Sequence, residues 1–194
     1  MLDLITKKIT NQIVLNFPNI TTEKAMEIDY GLYMAFSDIL KALTIIIVSL
    51  PFGLFLEVLT AIFTFGLLRM FLGGIHSKTQ LGCLSAYFFI IYGNCILSIL
   101  VTYDFLNVVL LPVSIVIAFL YSPADLPSKP ILSKKQYKKL KLFGMIELII
   151  LFTISFFVPK VYSNIICINS FVVTILITPA AYKLTKNTLS NCLL

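Results

Sequence analysis

Arg69-Met70-Phe71-Leu72-Gly73-Gly74-Ile75-His76-Ser77-Lys78-Thr79-Gln80-Leu81-Gly82-Cys83 contains the only histidine and the only arginine of the chain, and strongly apolar sequence flanks it on both sides. A helix in lipid satisfies its own backbone polar groups. A Gly-Gly pair interrupts that, and the freed N–H and C=O groups need partners that lipid does not offer. The stretch therefore reads as a break between two membrane helices at the edge of a bilayer. Ionisable groups kept in such a place are functional candidates by default.

Working outward, the apolar runs are Ile39–Leu56, Val58–Leu72, Leu81–Val101, Phe105–Tyr121, Phe143–Val158 and Val161–Tyr182. A full span needs roughly 20 apolar residues, with about 17 as the lower edge, and the second and fifth runs fall short of it. Six spans is the preferred reading, and four plus two re-entrant or broken helices the alternative. The 194 residues are 59% hydrophobic and 12% charged, with a mean hydropathy of +0.98. That composition excludes a soluble globule. The expected fold is an all-α integral membrane protein, with amphipathic interfacial helices over residues 1–38 and a polytopic membrane domain over 39–194.

Leu2, Ile5, Ile9 and Ile13 recur at helical spacing, the pattern of a helix lying in the membrane interface or packed on the protein. No apolar stretch of signal-peptide type follows Lys7 and Lys8. Pro18 and Asn19 interrupt this helix, and Thr21 or Thr22 is expected to cap the next, with Glu23 in its first turn. A loop over about 122–142, Ser122-Pro123-Ala124-Asp125-Leu126-Pro127-Ser128-Lys129-Pro130 and onward, is held extended by its prolines. Ser133 is placed to cap a short basic helix from Lys134 to Leu142.

The net charge of +6 is concentrated in that loop, at Lys129, Lys134, Lys135, Lys138, Lys139 and Lys141, opposed there only by Asp125. The bias of basic residues puts the loop in the cytoplasm. Counting back through six spans places His76, Lys78 and both termini on the same side; Lys183 and Lys186 agree. Lys160, Glu57 and Asp104 fall on the other face. The cysteines Cys83, Cys95, Cys167 and Cys192 form no ligand cluster with His76, so neither a metal nor a cofactor is expected. Cys95 and Cys167 sit within apolar runs and read as small buried hydrophobes.

A thiol with an imidazole is the smallest set that makes a nucleophile with its own proton carrier. On one continuous helix His76 and Cys83 would stand about 10.5 Å apart along the axis, too far to react. Gly73 and Gly74 end the preceding helix, however, and Ser77-Lys78-Thr79-Gln80 has the form of a capping box that restarts the chain at Ser77. His76 would then be free to fold back over the first turn, where Cys83 lies near the positive end of the helix dipole. Spacing alone leaves the bland alternatives standing. The Cys and His are then unrelated, Gly73-Gly74 is a packing notch, and Arg69 snorkels to headgroups, the favoured view of its energetics, with an added role in orienting the loop or binding a substrate carboxylate left open.

The pattern Arg69, Gly73-Gly74-Ile75-His76 and Cys83 resembles the signature of the accessory gene regulator protein B (AgrB) family. The order of later features also agrees: the proline loop, the lysine cluster, and two further apolar segments. The resemblance covers most of the chain. It implies a membrane-embedded cysteine endopeptidase of bacterial quorum sensing. Such an enzyme cuts an AgrD-type precursor peptide near its C-terminal part and promotes closure of the remainder into a thiolactone or lactone. Carried onto this chain, Cys83 and His76 are the catalytic pair, and Arg69 and Gly74 are motif positions of structural role, joined in support by Gly73 and Gln80. Gln80, then Asp125 and Glu147, are the candidates for a third member. The location implied is the cell membrane, multi-pass, with the active-site segment cytoplasmic; the partners are the precursor peptide, lipid and a second copy of the chain, not nucleic acid.

Lys134, Lys135, Lys138 and Lys139 suit either binding of an acidic substrate segment or attraction to anionic lipid, since both use the same charge. The competing functional class is a small-peptide transporter or exporter, with Glu57, Asn94 and Glu147 as polar points on a path. No internal repeat of the transporter kind is found. A non-enzymatic membrane adaptor, with the Cys–His stretch only a tight turn, is the third.

Overall fold

The computed structural model describes residues 2–17, 20–75, 79–101, 106–124 and 133–185. Expectations placed on Pro18, Asn19, His76, Ser77, Lys78, Asp104, Asp125, Pro127, Lys129, Pro130, Lys186 and Cys192 lie outside those residues. Regular structure among the described residues is helical: α1 (Leu2–Asn16), α2 (Thr22–Ser49), α3 (Phe55–Leu72), α4 (Gln80–Leu100), α5 (Leu106–Tyr121), α6 (Lys134–Ser155), α7 (Lys160–Leu176) and α8 (Pro179–Leu184). By length and apolar composition, the helical stretches Thr22–Phe52, Phe55–Leu72 and Leu81–Leu100 can each cross a membrane, and Asn107–Tyr121 and Lys160–Leu176 are shorter apolar helices. Large apolar side chains lie open on their outer faces, among them Phe89 at 75% and Leu100 at 70% exposure. Lipid, not water, is the solvent such a surface suits.

The chain forms two compact units, Met1–Leu50 and Pro51–Leu194. In the first, α1 packs against α2. Thr21 is the N-cap of α2, its hydroxyl accepting from Lys24 N–H at 3.4 Å. The face that α1 buries differs from the apolar stripe read from spacing. Thr6 and Thr10 are its buried residues, Thr10 donating to Asp29 at 3.5 Å, while Ile5 is 47% exposed. The hydrogen-bonding partner on α2 selects the polar edge of the stripe. The helix α2 is also longer than the apolar run Ile39–Leu56: it starts at Thr22 and ends at Ser49. A single 3-10 turn, Leu50–Phe52, and Gly53 at φ 68° then separate it from α3. The boundary expected at residue 38 lies inside α2.

In the second unit α7 is the hub, packed against α3, α4, α5 and α6. Its inward residues include Ser163, Asn164, Cys167, Asn169, Ser170 and Thr174, all buried. Asn164 donates to the carbonyls of Ser98 and Val101 at 3.0 and 2.9 Å. Asn169 donates to Ala61 O and Thr64 Oγ1 at 2.9 and 2.7 Å. From α4, Asn94 reaches Ile165 O at 3.3 Å. Lipid tails offer helices no hydrophobic reason to associate, so small and amide side chains that hydrogen-bond across the interface do that work. Asn94, named above as a polar point on a transport path, thus makes a structural bond between α4 and α7.

Two further boundaries depart from the apolar runs. Ser133 does cap α6, accepting from Lys135 N–H at 3.3 Å, but no short basic helix forms. The helix from Lys134 runs unbroken to Ser155, because no residue between Leu142 and the apolar run terminates it. The run Val161–Tyr182 divides into α7 and a short α8 capped by Thr178.

Candidate active site

Helix α3 ends at Leu72, and Gly73 (φ 76°) and Gly74 (φ 120°) turn the chain away from its axis. Left-handed backbone of this kind suits glycine, which has no Cβ to clash. The freed groups are then matched one by one. Gly73 N–H returns to Arg69 O at 3.1 Å, Gly74 N–H donates to Ala124 O at 3.3 Å, and Ile75 N–H donates to Leu176 O at 3.3 Å. Ala124 N–H donates to Leu72 O at 2.9 Å, so Gly73 and Ala124 pair as a parallel β-bridge. The guanidinium of Arg69 donates to the carbonyl of Ile75 and lies over the Phe65 ring at 5.8 Å. Arg69 therefore grips the loop at Ile75, the loop-orienting role left open beside snorkelling.

Space forbids a side chain at either glycine. A Cβ on Gly73 would run into the carbonyl oxygen of Ala124. One on Gly74 would stand 2.5 Å from Arg69 Nη1 and 3.3 Å from both Leu176 O and Ile177 Cγ2. Below the loop, a Cβ on Gly144 of α6 would meet Leu72 Cδ2 at 2.5 Å, so α3 and α6 approach closely there. The rings of Phe71 and Phe143 stack at 5.7 Å beside it.

The restart of the chain differs from the expected capping box. Helix α4 begins at Gln80 with Thr79 as its N-cap, the Thr79 hydroxyl accepting from Gly82 N–H at 3.1 Å. Thr79 takes the cap because it is the extended residue (φ −123°, ψ 149°) from which the first helical bond, Cys83 N–H to Thr79 O at 2.9 Å, is made. Cys83 is half-buried in the first turn of α4. An unbroken helix from 76 to 83 is thus excluded. His76 lies outside the described residues, and Gln80 is placed as the first residue of α4.

A shallow groove of about 430 Å³, lined by Leu81, Gly82, Leu84, Ser85, Phe88 and Phe89, lies along the start of α4. At 100° per residue these positions centre on the side of the helix opposite Cys83. The groove is apolar surface facing outward and does not meet the sulfur. Cys83 instead shares a helix face with Tyr87, whose ring packs 5.4 Å from Phe65.

Lys134, Lys135, Lys138 and Lys139 are exposed in the first two turns of α6. Lys139 extends over the Phe143 ring at 5.8 Å and Lys141 over Phe119 at 4.9 Å. Tyr137, among them, donates to Ser122 O at 3.3 Å. Cys95 and Cys167 are buried, and Cys167 donates to Asn107 Oδ1 at 2.9 Å. Both carboxylate oxygens of Glu147 are buried without a hydrogen-bond partner. No cluster of metal-ligating side chains exists among the described residues. Sequence reading missed Ala124 and Leu176. The glycine pair signalled a close backbone approach, but nothing local says which carbonyls approach.

The family model for accessory gene regulator B matches residues 6–178. A Clostridium perfringens (strain SM101) protein named "Putative AgrB-like protein" is 30% identical over 146 residues, covering 71% of this chain and 66% of that protein. A Listeria welshimeri protein of the same name is 28% identical over 178 residues, covering 87% and 84%. The match thus spans a little under two thirds of the length of the Clostridium relative. No solved structure matches the chain. With the family model spanning most of its length, the chain belongs to the AgrB family.

Proposed function

We propose that this chain is a membrane-embedded cysteine endopeptidase that processes an AgrD-type precursor of a quorum-sensing peptide. The observation that carries the reading is the construction of the break between α3 and α4. Arg69, Ala124 and Leu176 hold Gly73–Ile75, so the residue after Ile75 leaves a fixed point and Cys83 sits in the first turn of the helix that follows. In this reading the Cys83 thiolate attacks a peptide carbonyl, the C–N bond breaks, and His76 hands its proton to the departing amine. The N-terminal part remains as a thioester on Cys83. An internal Cys or Ser of that part displaces the enzyme sulfur and closes a thiolactone or lactone. Tethering gives the internal nucleophile a high effective concentration over water, and apolar surroundings exclude the competing solvent.

The lysine-bearing turn of α6 is the binding surface for an acidic part of the precursor. Cations at a helix N-terminus oppose the helix dipole, and an anion docked on them offsets that cost. The proposed setting is the cell membrane, with the loop and both termini cytoplasmic and the enzyme acting as a dimer.

The test is co-expression with the precursor and mass analysis of the products. Cys83→Ala and His76→Ala each abolish cleavage, and the double variant is no worse than either, because the pair acts as a unit. Trapped enzyme gains the mass of the core peptide and releases it to hydroxylamine. Cleavage by Cys83→Ala ends the reading. Reversing Lys134, Lys135 and Lys138 to glutamate raises KM for the precursor, and lysines placed in the precursor's acidic segment restore part of it. If no restoration occurs, the lysines serve lipid and orientation alone.

A further inference from the structure

Helix α4 is held to the rest of the second unit unevenly along its length. From Ile91 onward its inward side is sealed. Ile91, Asn94, Cys95 and Ser98 are buried, Asn94 reaches Ile165 O of α7 at 3.3 Å, and Asn164 of α7 holds Ser98 O at 3.0 Å. Cys83 and Tyr87 precede Asn94 by eleven and seven residues, which at 100° per residue puts both within about 20° of its direction. They face inward as Asn94 does, yet both are only half-buried, and no described residue of α4 from Leu81 to Ile90 is buried. The seam along α4 thus closes at Ile91 and opens toward the break over the turns that carry the thiol.

A pair of rings stands in the opening. Tyr87 packs on Phe65 of α3 at 5.4 Å, the planes inclined by 44°. Phe65 is 8% exposed and lies 5.8 Å from the guanidinium of Arg69, which is itself tied to the carbonyl of Ile75. The wall on the α3 side is therefore fixed, and Tyr87 is its accessible part. A helical side chain leans over the turn N-terminal to its own Cα, and Cβ atoms four residues apart are about 5–6 Å from each other. The Tyr87 ring accordingly lies against the turn of Cys83.

An acyl group on Cys83 is bonded to the sulfur, so the side chain of the residue that supplied the carbonyl rests on whatever adjoins that sulfur. The groove of Leu81, Ser85 and Phe89 does not adjoin it, being on the opposite side of the helix. Resting on the peptidase reading above, we propose that Tyr87, backed by Phe65, is a specificity-determining residue: its ring is the floor of the subsite for the residue whose carbonyl Cys83 attacks. The side chain this floor suits is large and apolar. A small one leaves the rings uncovered, and a carboxylate would be desolvated against them with Arg69 already engaged by Ile75 and Phe65.

The test uses purified full-length enzyme in liposomes and precursors that carry Ala, Leu, Phe, Trp or Asp at that one position, with the cut mapped by product mass. For the wild type, kcat/KM with Leu or Phe exceeds that with Ala or Asp by about tenfold or more, the effect that a few methylenes have in an apolar site. Tyr87→Ala enlarges the site, so the ratio of kcat/KM for Trp over Leu rises about tenfold. Tyr87→Phe keeps the ring and with it the wild-type ratio. A ratio taken on one preparation does not depend on how much of the enzyme is folded. Should Tyr87→Ala be inactive, Tyr87→Leu is read in the same way and in the same direction; inactivity of both counts against the inference. A Tyr87→Ala variant that slows every precursor by one factor overturns it while Cys83→Ala stays inactive, because lost packing alone behaves that way. So does a wild type that cleaves all five precursors equally. Cleavage by Cys83→Ala would instead remove the reading on which the inference stands.

Discussion

Gly53 and Gly73 have similar positive φ, 68° and 76°, and each lies just beyond the end of an apolar helix. Their surroundings are opposite. A Cβ on Gly53 would meet nothing within 4 Å, whereas one on Gly73 would collide with the Ala124 carbonyl and one on Gly74 would clash with Arg69 and crowd Leu176 and Ile177. The first turn uses glycine only for its conformational freedom. The second uses it because three pieces of chain, distant in sequence, converge on the same few ångströms. A membrane protein can reverse direction cheaply at its edge, but only a packed reversal holds a reactive residue in place.

The largest expected difference lies between these two glycines. Gly73→Ala displaces the bridge to Ala124 and lowers precursor cleavage at least a hundredfold. Gly53→Ala costs only left-handed strain, roughly 1–2 kcal/mol, and keeps near wild-type activity at equal abundance. Equal loss in both, measured per mole of enzyme in membranes, would erase the distinction between a turn and a fixture. Arg69→Lys comes next. A single ammonium cannot reproduce the planar fork that reaches Ile75 O and covers Phe65, so cleavage falls about tenfold with precursor KM little changed; wild-type activity would mean that the backbone bonds alone hold the loop. The smallest effect is Thr79→Ala, which removes a helix cap worth about 1 kcal/mol. Thermal melting in detergent should fall by a few degrees and cleavage by a few-fold, against no change for Ser85→Ala, an exposed hydroxyl in the outward groove.

Much of the architecture was readable in local pattern. Apolar runs, the lysine bias and the caps at Thr21 and Ser133 depend on neighbours within a turn or two of helix, and the break at Gly73-Gly74 is a local property as well. Where local rules competed, the reading slipped. Ser77 and Thr79 both make acceptable caps, and the extended geometry at Thr79 decided between them. The apolar stripe of α1 and the hydroxyls of Thr6 and Thr10 both offered a face to α2, and the hydroxyls lie on the buried one. The central position of α7 was not legible, because the partners of its asparagines lie on α3 and at the end of α4, far away in sequence.

By itself, the sequence determined that this chain is helical and apolar enough for a bilayer, and that its helices break at Gly73-Gly74. Those properties follow from side-chain polarity, glycine freedom and capping, all short-range. Only the tertiary structure decided that Ala124 and Leu176 complete the loop, that Arg69 turns inward to Ile75 O, and that the cavity on α4 faces away from Cys83. Those are matters of which backbone carbonyls lie within about 3 Å of a freed N–H. In a chain whose interior offers no water to satisfy such groups, that pairing is settled by the packing of whole helices and by nothing nearer in sequence.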